Sequence, residues 1–140
     1  MDFQNFGVIS YTAKAKISPF VDFLFQGKFM ITQCKHCHQL FFPPQADCPY
    51  CLSDDMEWLE IKDEGILLSY STSMYGPAGF ENKVPYTLGI VQFLGKVNVI
   101  APVSKDINPK NLKIGIKLKV RPVKLNEQRA SYEFVLLKNV

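Results

Sequence analysis

Two periods of apolar residues organise this chain. Near the start, Phe20, Phe23 and Leu24 recur at helical spacing, preceded by Ser18-Pro19 and followed by Gly27. A serine N-cap, a proline at the first helical position and a glycine just past the end predict a short helix. With Val21 and Phe25 included, this helix is apolar around much of its circumference. It must therefore dock, either on its own domain or on another subunit. After Gly65 the period becomes two: Ile66, Leu68, Tyr70, Thr72 and Met74 alternate with Leu67, Ser69, Ser71 and Ser73, which predicts a strand with one polar face. Residues 75–85 form a loop holding Gly76, Pro77, Gly79 and Pro85, and apolar runs over 86–94 and 97–102 flank a tight turn at Gly95-Lys96. Residues 106–115 are turn-rich. A further strand then places Ile114, Ile116, Leu118 and Val120 on one face, with Lys113, Lys117, Lys119 and Arg121 on the other. Residues 132–137 close the set. Five short strands without helical crossovers predict a small antiparallel barrel of the oligonucleotide/oligosaccharide-binding (OB) type.

Residues 1–17 show no sustained period and read as an arm whose order depends on a partner. Three regions result: arm and helix over 1–30, a metal-binding ribbon over 31–62, and the OB domain over 63–140. The fold expected is mainly β.

Composition narrows the class. The chain has 140 residues, 47% of them apolar and 21% charged, the balance of an ordinary globular protein rather than a disordered one. No apolar run has the length of a bilayer span, and the first residues lack the pattern of a secretory signal, so a cytoplasmic setting with reduced thiols is expected. From Lys105 onward nine basic residues stand against three acidic ones, whereas six acids crowd residues 54–64. The basic C-terminal third suits nucleic acid, a nucleotide-bearing cofactor, an acidic protein surface or merely a solvated strand face.

All four cysteines fall within 18 residues: Cys34-Lys35-His36-Cys37, a ten-residue spacer, then Cys48-Pro49-Tyr50-Cys51. A two-residue gap lets both thiolates of a knuckle reach one ion while backbone N–H groups point at the sulfurs. Two knuckles complete a tetrahedron with no position left for water, so the expected metal is a structural zinc held by Cys34, Cys37, Cys48 and Cys51. Spacing alone also permits iron in a rubredoxin-like site. Cys48-Pro49-Tyr50-Cys51 matches the glutaredoxin tetrapeptide, but the preceding knuckle and the acidic, Trp58-containing connector over 52–64 are not the strand–helix setting a redox motif needs. With four sulfurs available, His36 and His38 are expected as surface residues, and no nucleophile–base constellation accompanies them. Between the knuckles, Leu40-Phe41-Phe42-Pro43-Pro44 is expected to pack ribbon against barrel.

The order of motifs continues through Gln26-Gly27-Lys28-Phe29, Phe42-Pro43-Pro44, Trp58, Gly65, Pro85-Tyr86, Leu88-Gly89 and Leu112-x-x-Gly115. From about Ser18 onward the chain resembles the acyl-CoA-associated OB-fold proteins with a rubredoxin-like zinc ribbon. That resemblance implies a non-catalytic partner subunit, assembled with a thiolase, a hydroxymethylglutaryl-CoA synthase, a steroid side-chain hydratase or a related acyltransferase. A thiolase, including those of aromatic-compound β-oxidation, is the expectation. Two positions depart from such ribbons: His38 and Leu52 stand where a glycine often follows a knuckle's second cysteine, which predicts local strain. Residues 1–17 fall outside the resemblance.

If coenzyme A reaches this chain, its pantetheine arm and phosphorylated nucleotide would meet the long loop, where Tyr75, Gly76, Phe80 and Lys83 are the candidates and Lys105 a further one. The alternative is a single-stranded nucleic-acid binder, which OB barrels, ribbons and the strand around Lys117 and Arg121 permit. Against it, the basic residues of that strand are not interleaved with the aromatic residues a stacking platform needs.

Overall fold

The computed structural model describes residues 7, 16–75 and 85–136. Helix α1 spans Pro19–Phe25. Ser18 already has helical dihedrals, φ −54° and ψ −30°, and its side chain makes no capping hydrogen bond, because a cap requires extended backbone at that position. The C-terminal stop is as expected. Gly27 has φ +80°, and the N–H groups of Gly27 and Lys28 donate to the carbonyls of Leu24 (3.0 Å) and Phe23 (2.8 Å), a Schellman closure. Phe20, Val21 and Leu24 are buried, so this face docks on the chain's own sheets rather than on another subunit.

The ribbon is a three-stranded antiparallel sheet of β1 (Met30–Cys34), β2 (Leu40–Phe41) and β3 (Met56–Glu60), in the order β2-β1-β3. The stretch containing Trp58, expected as a connector, is therefore a strand, with Trp58 opposite Thr32. Glutamates at 57 and 60 interrupt its apolar pattern, and five residues are too few for the alternation to stand out.

The barrel strands are β4 (Gly65–Ser73), β5 (Tyr86–Phe93), β6 (Val97–Pro102), β7 (Lys117–Asn126) and β8 (Arg129–Leu136), in the order β6-β5-β4-β7-β8. Past the end of β6, Val103 forms a parallel bridge with Phe134, and the Ser104 N–H donates to the Phe134 carbonyl at 2.9 Å. This closure of the third barrel strand on the fifth gives the OB arrangement. Inward residues Leu67, Val91, Phe93, Val99, Leu118 and Phe134 are fully enclosed. Gly65 sits where any Cβ would lie 2.5 Å from Val91 Cγ1 and 2.6 Å from the Gln92 carbonyl, so the first strand can cross the second closely only with glycine there.

Two strand limits differ from expectation. β7 begins at Lys117 because Gly115, at φ +98°, turns the chain and donates to the Leu67 carbonyl at 2.8 Å; Ile114 is left 71% exposed. β8 begins at Arg129, since a bulge near Lys124 and a tight turn at 127–128 extend the pairing.

Ribbon and barrel are joined by aromatic rings from four parts of the chain: Phe20 of α1, Phe29 ahead of β1, Phe42 after β2 and Tyr132 of β8. All six pairs among them have centroids 5.0–6.1 Å apart, within the range of favourable edge and offset contacts. Of the spacer phenylalanines, only Phe42 joins this cluster. Phe41, on the opposite face of the extended chain, stacks on Tyr50 within the ribbon at 6.0 Å.

Candidate metal centre and the surfaces beside it

The two knuckles fold alike. In the first, the Cys34 N–H donates to the Gln39 carbonyl (3.0 Å) and the His38 N–H to the Cys34 carbonyl (2.9 Å); in the second, Cys48 donates to Ser53 (2.8 Å) and Leu52 to Cys48 (2.9 Å). Each turn aims one backbone N–H at its first sulfur, Cys37 N at Cys34 Sγ and Cys51 N at Cys48 Sγ, both 3.5 Å. Closing the turn puts His38 at φ 63° and Leu52 at φ 62°, the left-handed region where a glycine carries no Cβ penalty. The strain expected at these positions is therefore located in the backbone.

The four sulfurs lie within 4.8 Å of one another, with Cys34–Cys51 and Cys37–Cys48 each at 3.5 Å. A tetrahedron with sulfur about 2.3 Å from its centre has edges of about 3.8 Å, so this donor set fits zinc. Cys34 and Cys48 are buried, while Cys37 and Cys51 lie nearer the surface. The Cys37 backbone N–H, ahead of the other nearby donors, lowers the Cys34 thiol to about 6. At Cys51 the Ser53 N–H favours the thiolate, yet hydrogen bonding with Cys34, burial and the two remaining sulfurs together push the thiol up to about 12. Crowded sulfurs thus share protons unequally, and a divalent cation relieves the crowding by taking all four as thiolates. Among the described residues the cluster of potential metal ligands is these cysteines; His36 and His38 stay exposed outside it. With its four positions filled by sulfur, such a centre supports structure and offers no site for substrate.

The residues expected to meet coenzyme A are only partly placed. Tyr75 follows β4 and is 87% exposed, its carbonyl accepting from Ser73 Oγ at 2.7 Å. Gly76, Phe80 and Lys83 lie outside the described residues. Lys105 is brought elsewhere, to a cavity of about 670 Å³ whose walls include Leu88, Val103, Ile107, Leu112, Val123 and Leu125. The sequence reading missed this cavity. Its available signal was the pair Ile107 and Leu112, apolar within a turn-rich segment and both buried.

The basic row on β7 is partly neutralised. Lys117 pairs with Glu64 at 3.2 Å and Arg121 with Glu133, while Lys124 lies 6.0 Å above the Phe25 ring. Among the described residues, no helix is long and apolar enough to cross a membrane.

Two family models match in tandem: the ChsH2 rubredoxin-like zinc ribbon domain over residues 24–57 and the ChsH2 C-terminal OB-fold domain over residues 58–122. The chain is 30% identical over 95 residues to a DUF35 domain-containing scaffold protein of Pyrococcus furiosus, covering 68% of each protein. It is 33% identical over 69 residues to the benzoylsuccinyl-CoA thiolase subunit BbsA of Thauera aromatica, covering 49% of this chain and 46% of that protein. Over 112 residues it is 29% identical to a probable enoyl-CoA hydratase alpha subunit of Thermomonospora curvata, covering 79% of this chain and 33% of that protein. The chain therefore spans less than half the length of these last two relatives. A solved structure described as an Ltp2-ChsH2(DUF35) aldolase superposes with a TM-score of 0.74, covering 89% of this chain and 97% of that one at 22% identity, a likeness of fold. On the tandem matches and the Pyrococcus relative, this chain belongs to the DUF35, ChsH2-type family that joins a rubredoxin-like zinc ribbon to an OB-fold domain.

Proposed function

We propose that this protein is a non-catalytic accessory subunit of a cytoplasmic acyl-CoA enzyme complex, with a thiolase-type acyltransferase as its partner. One observation carries the reading: relatives named as subunits of two different acyl-CoA enzymes align with this chain, over 69 and 112 residues. The closed sulfur site agrees with it, because a metal with four thiolates supplies shape and leaves the chemistry to another chain. Zinc bound by Cys34, Cys37, Cys48 and Cys51 would hold the ribbon, and the aromatic cluster would hold the ribbon to the barrel. The loop carrying Tyr75, Gly76, Phe80 and Lys83 would complete the partner's coenzyme A channel.

The nucleic-acid reading has less support. Two of the cations on β7 are tied to carboxylates. The outward residues of β5 and β6 around their paired centre, Ile90 and Ile100, are aliphatic and cannot stack on bases.

Tagged full-length chain, expressed in its own cells and captured under native salt, should bring down an acyl-CoA enzyme subunit in fixed proportion. Recovery of the chain alone, or with oligonucleotide in salt-sensitive association, would contradict the proposal.

A further inference from the structure

We propose that the cavity between β8 and the segment after β6 is a binding site for a small amphipathic monoanion, a carboxylate with a medium-length alkyl or aryl body. A partly open space of about 670 Å³, lined by Gly7 and by residues of the barrel and the turn after β6, is of ligand-site size. Leu88, Val103, Ile107, Leu112, Val123 and Leu125 give it aliphatic walls, with Tyr86, Tyr132 and a few hydroxyls among them, a surface that suits an apolar body carrying a polar end.

The charge at its edge is also specific. Lys105 lines the cavity, is exposed, and takes part in none of the ion pairs formed among the described residues. Among the described residues the other charged one in the lining, Glu133, is held by Arg121, so it leaves the ammonium uncompensated. One lysine at the cavity, with neutral hydroxyls elsewhere in the lining, matches a single negative charge. A phosphate would call for a guanidinium fork or a nest of backbone N–H groups, and among the described residues the charged lining is Lys105 and Glu133. The site is separate from the sulfur cluster and independent of the partner proposed above.

The test is methyl-resolved NMR of the zinc-loaded full chain titrated with octanoate, 1-octanol and coenzyme A. Octanoate is expected to shift the methyls of Leu88, Val103, Ile107 and Leu112 saturably, with octanol about fivefold weaker. Lys105→Gln should weaken octanoate by about the same factor and leave octanol unchanged. Leu125→Trp, which fills the cavity, should abolish both. If that variant does not fold, the Lys105 variant decides, since its side chain lies at the surface. Three results would overturn the proposal: no saturable shift at millimolar octanoate, equal octanoate affinity in Lys105→Gln, or coenzyme A moving the same methyls at lower concentration than octanoate.

Discussion

The ring of Phe42 stands at 90° to that of Tyr132, with centroids 5.7 Å apart. This contact joins the spacer between the two knuckles to the last barrel strand, and Phe20 and Phe29 close around it. The metal ribbon is thereby fixed to the barrel by aromatic packing rather than by the metal itself.

Phe42→Ala should then cost about 2–3 kcal/mol, somewhat less than for a fully buried phenylalanine because its ring is partly buried. Phe41→Ala, which removes a ring stacked on exposed Tyr50, should cost about 1 kcal/mol or less. Denaturant unfolding of the zinc-loaded variants measures both. Equal losses would show that the cluster does not join the two parts.

The left-handed backbone at Leu52 gives a prediction of opposite sign. Leu52 is 85% exposed, so its side chain contributes little burial to offset the strain at φ 62°. Leu52→Gly should stabilise the zinc-loaded protein by about 0.5–1 kcal/mol, whereas Leu52→Ala should not. A fall in thermal midpoint for Leu52→Gly would place the residue's role in packing.

Close approach at the first barrel strand predicts a sharp contrast between two glycines. A Cβ at Gly65 would lie 2.5 Å from Val91 Cγ1 and 2.6 Å from a backbone oxygen, whereas at Gly89 the nearest atom is the Leu67 methyl at 3.2 Å. Gly65→Ala should cost about 2–3 kcal/mol and Gly89→Ala about 1 kcal/mol. Comparable melting curves for the two would contradict the strand crossing described.

Metal analysis should find one zinc per chain with four thiols protected from alkylation. Chelation should expose all four and strip hydrogen-exchange protection from β1–β3 before β4–β8, because metal binding is coupled to ribbon folding, whereas the barrel encloses Leu67, Val91, Phe93, Val99, Leu118 and Phe134 without ligating the metal. Protection lost evenly across both sheets would refute this separation.

Much of this architecture was legible from residue order. The paired CxxC spacing locates the four sulfurs, and alternation after Gly65 locates the barrel strands, because each signal is local. The stop at Gly27 is local as well. What escaped depends on distant partners. Trp58 lies in a strand only because Thr32 pairs with it. Phe42 differs from Phe41 only through which face of the spacer meets Tyr132. Ile114 fits the strand pattern, yet the bond from Gly115 to Leu67 takes it out of the strand. The cavity gathers residues from β5, β6, the turn after it, β7 and β8, and no single window of sequence contains them.

Reconstitution tests the central claim most directly. Acyl-CoA cleavage or condensation by the co-purified partner enzyme is to be measured with and without this chain, both loaded with zinc. The account predicts no turnover by this chain alone and little by the partner alone, with activity appearing when the two are combined. Full activity of the partner by itself, or turnover by this chain in isolation, would contradict it.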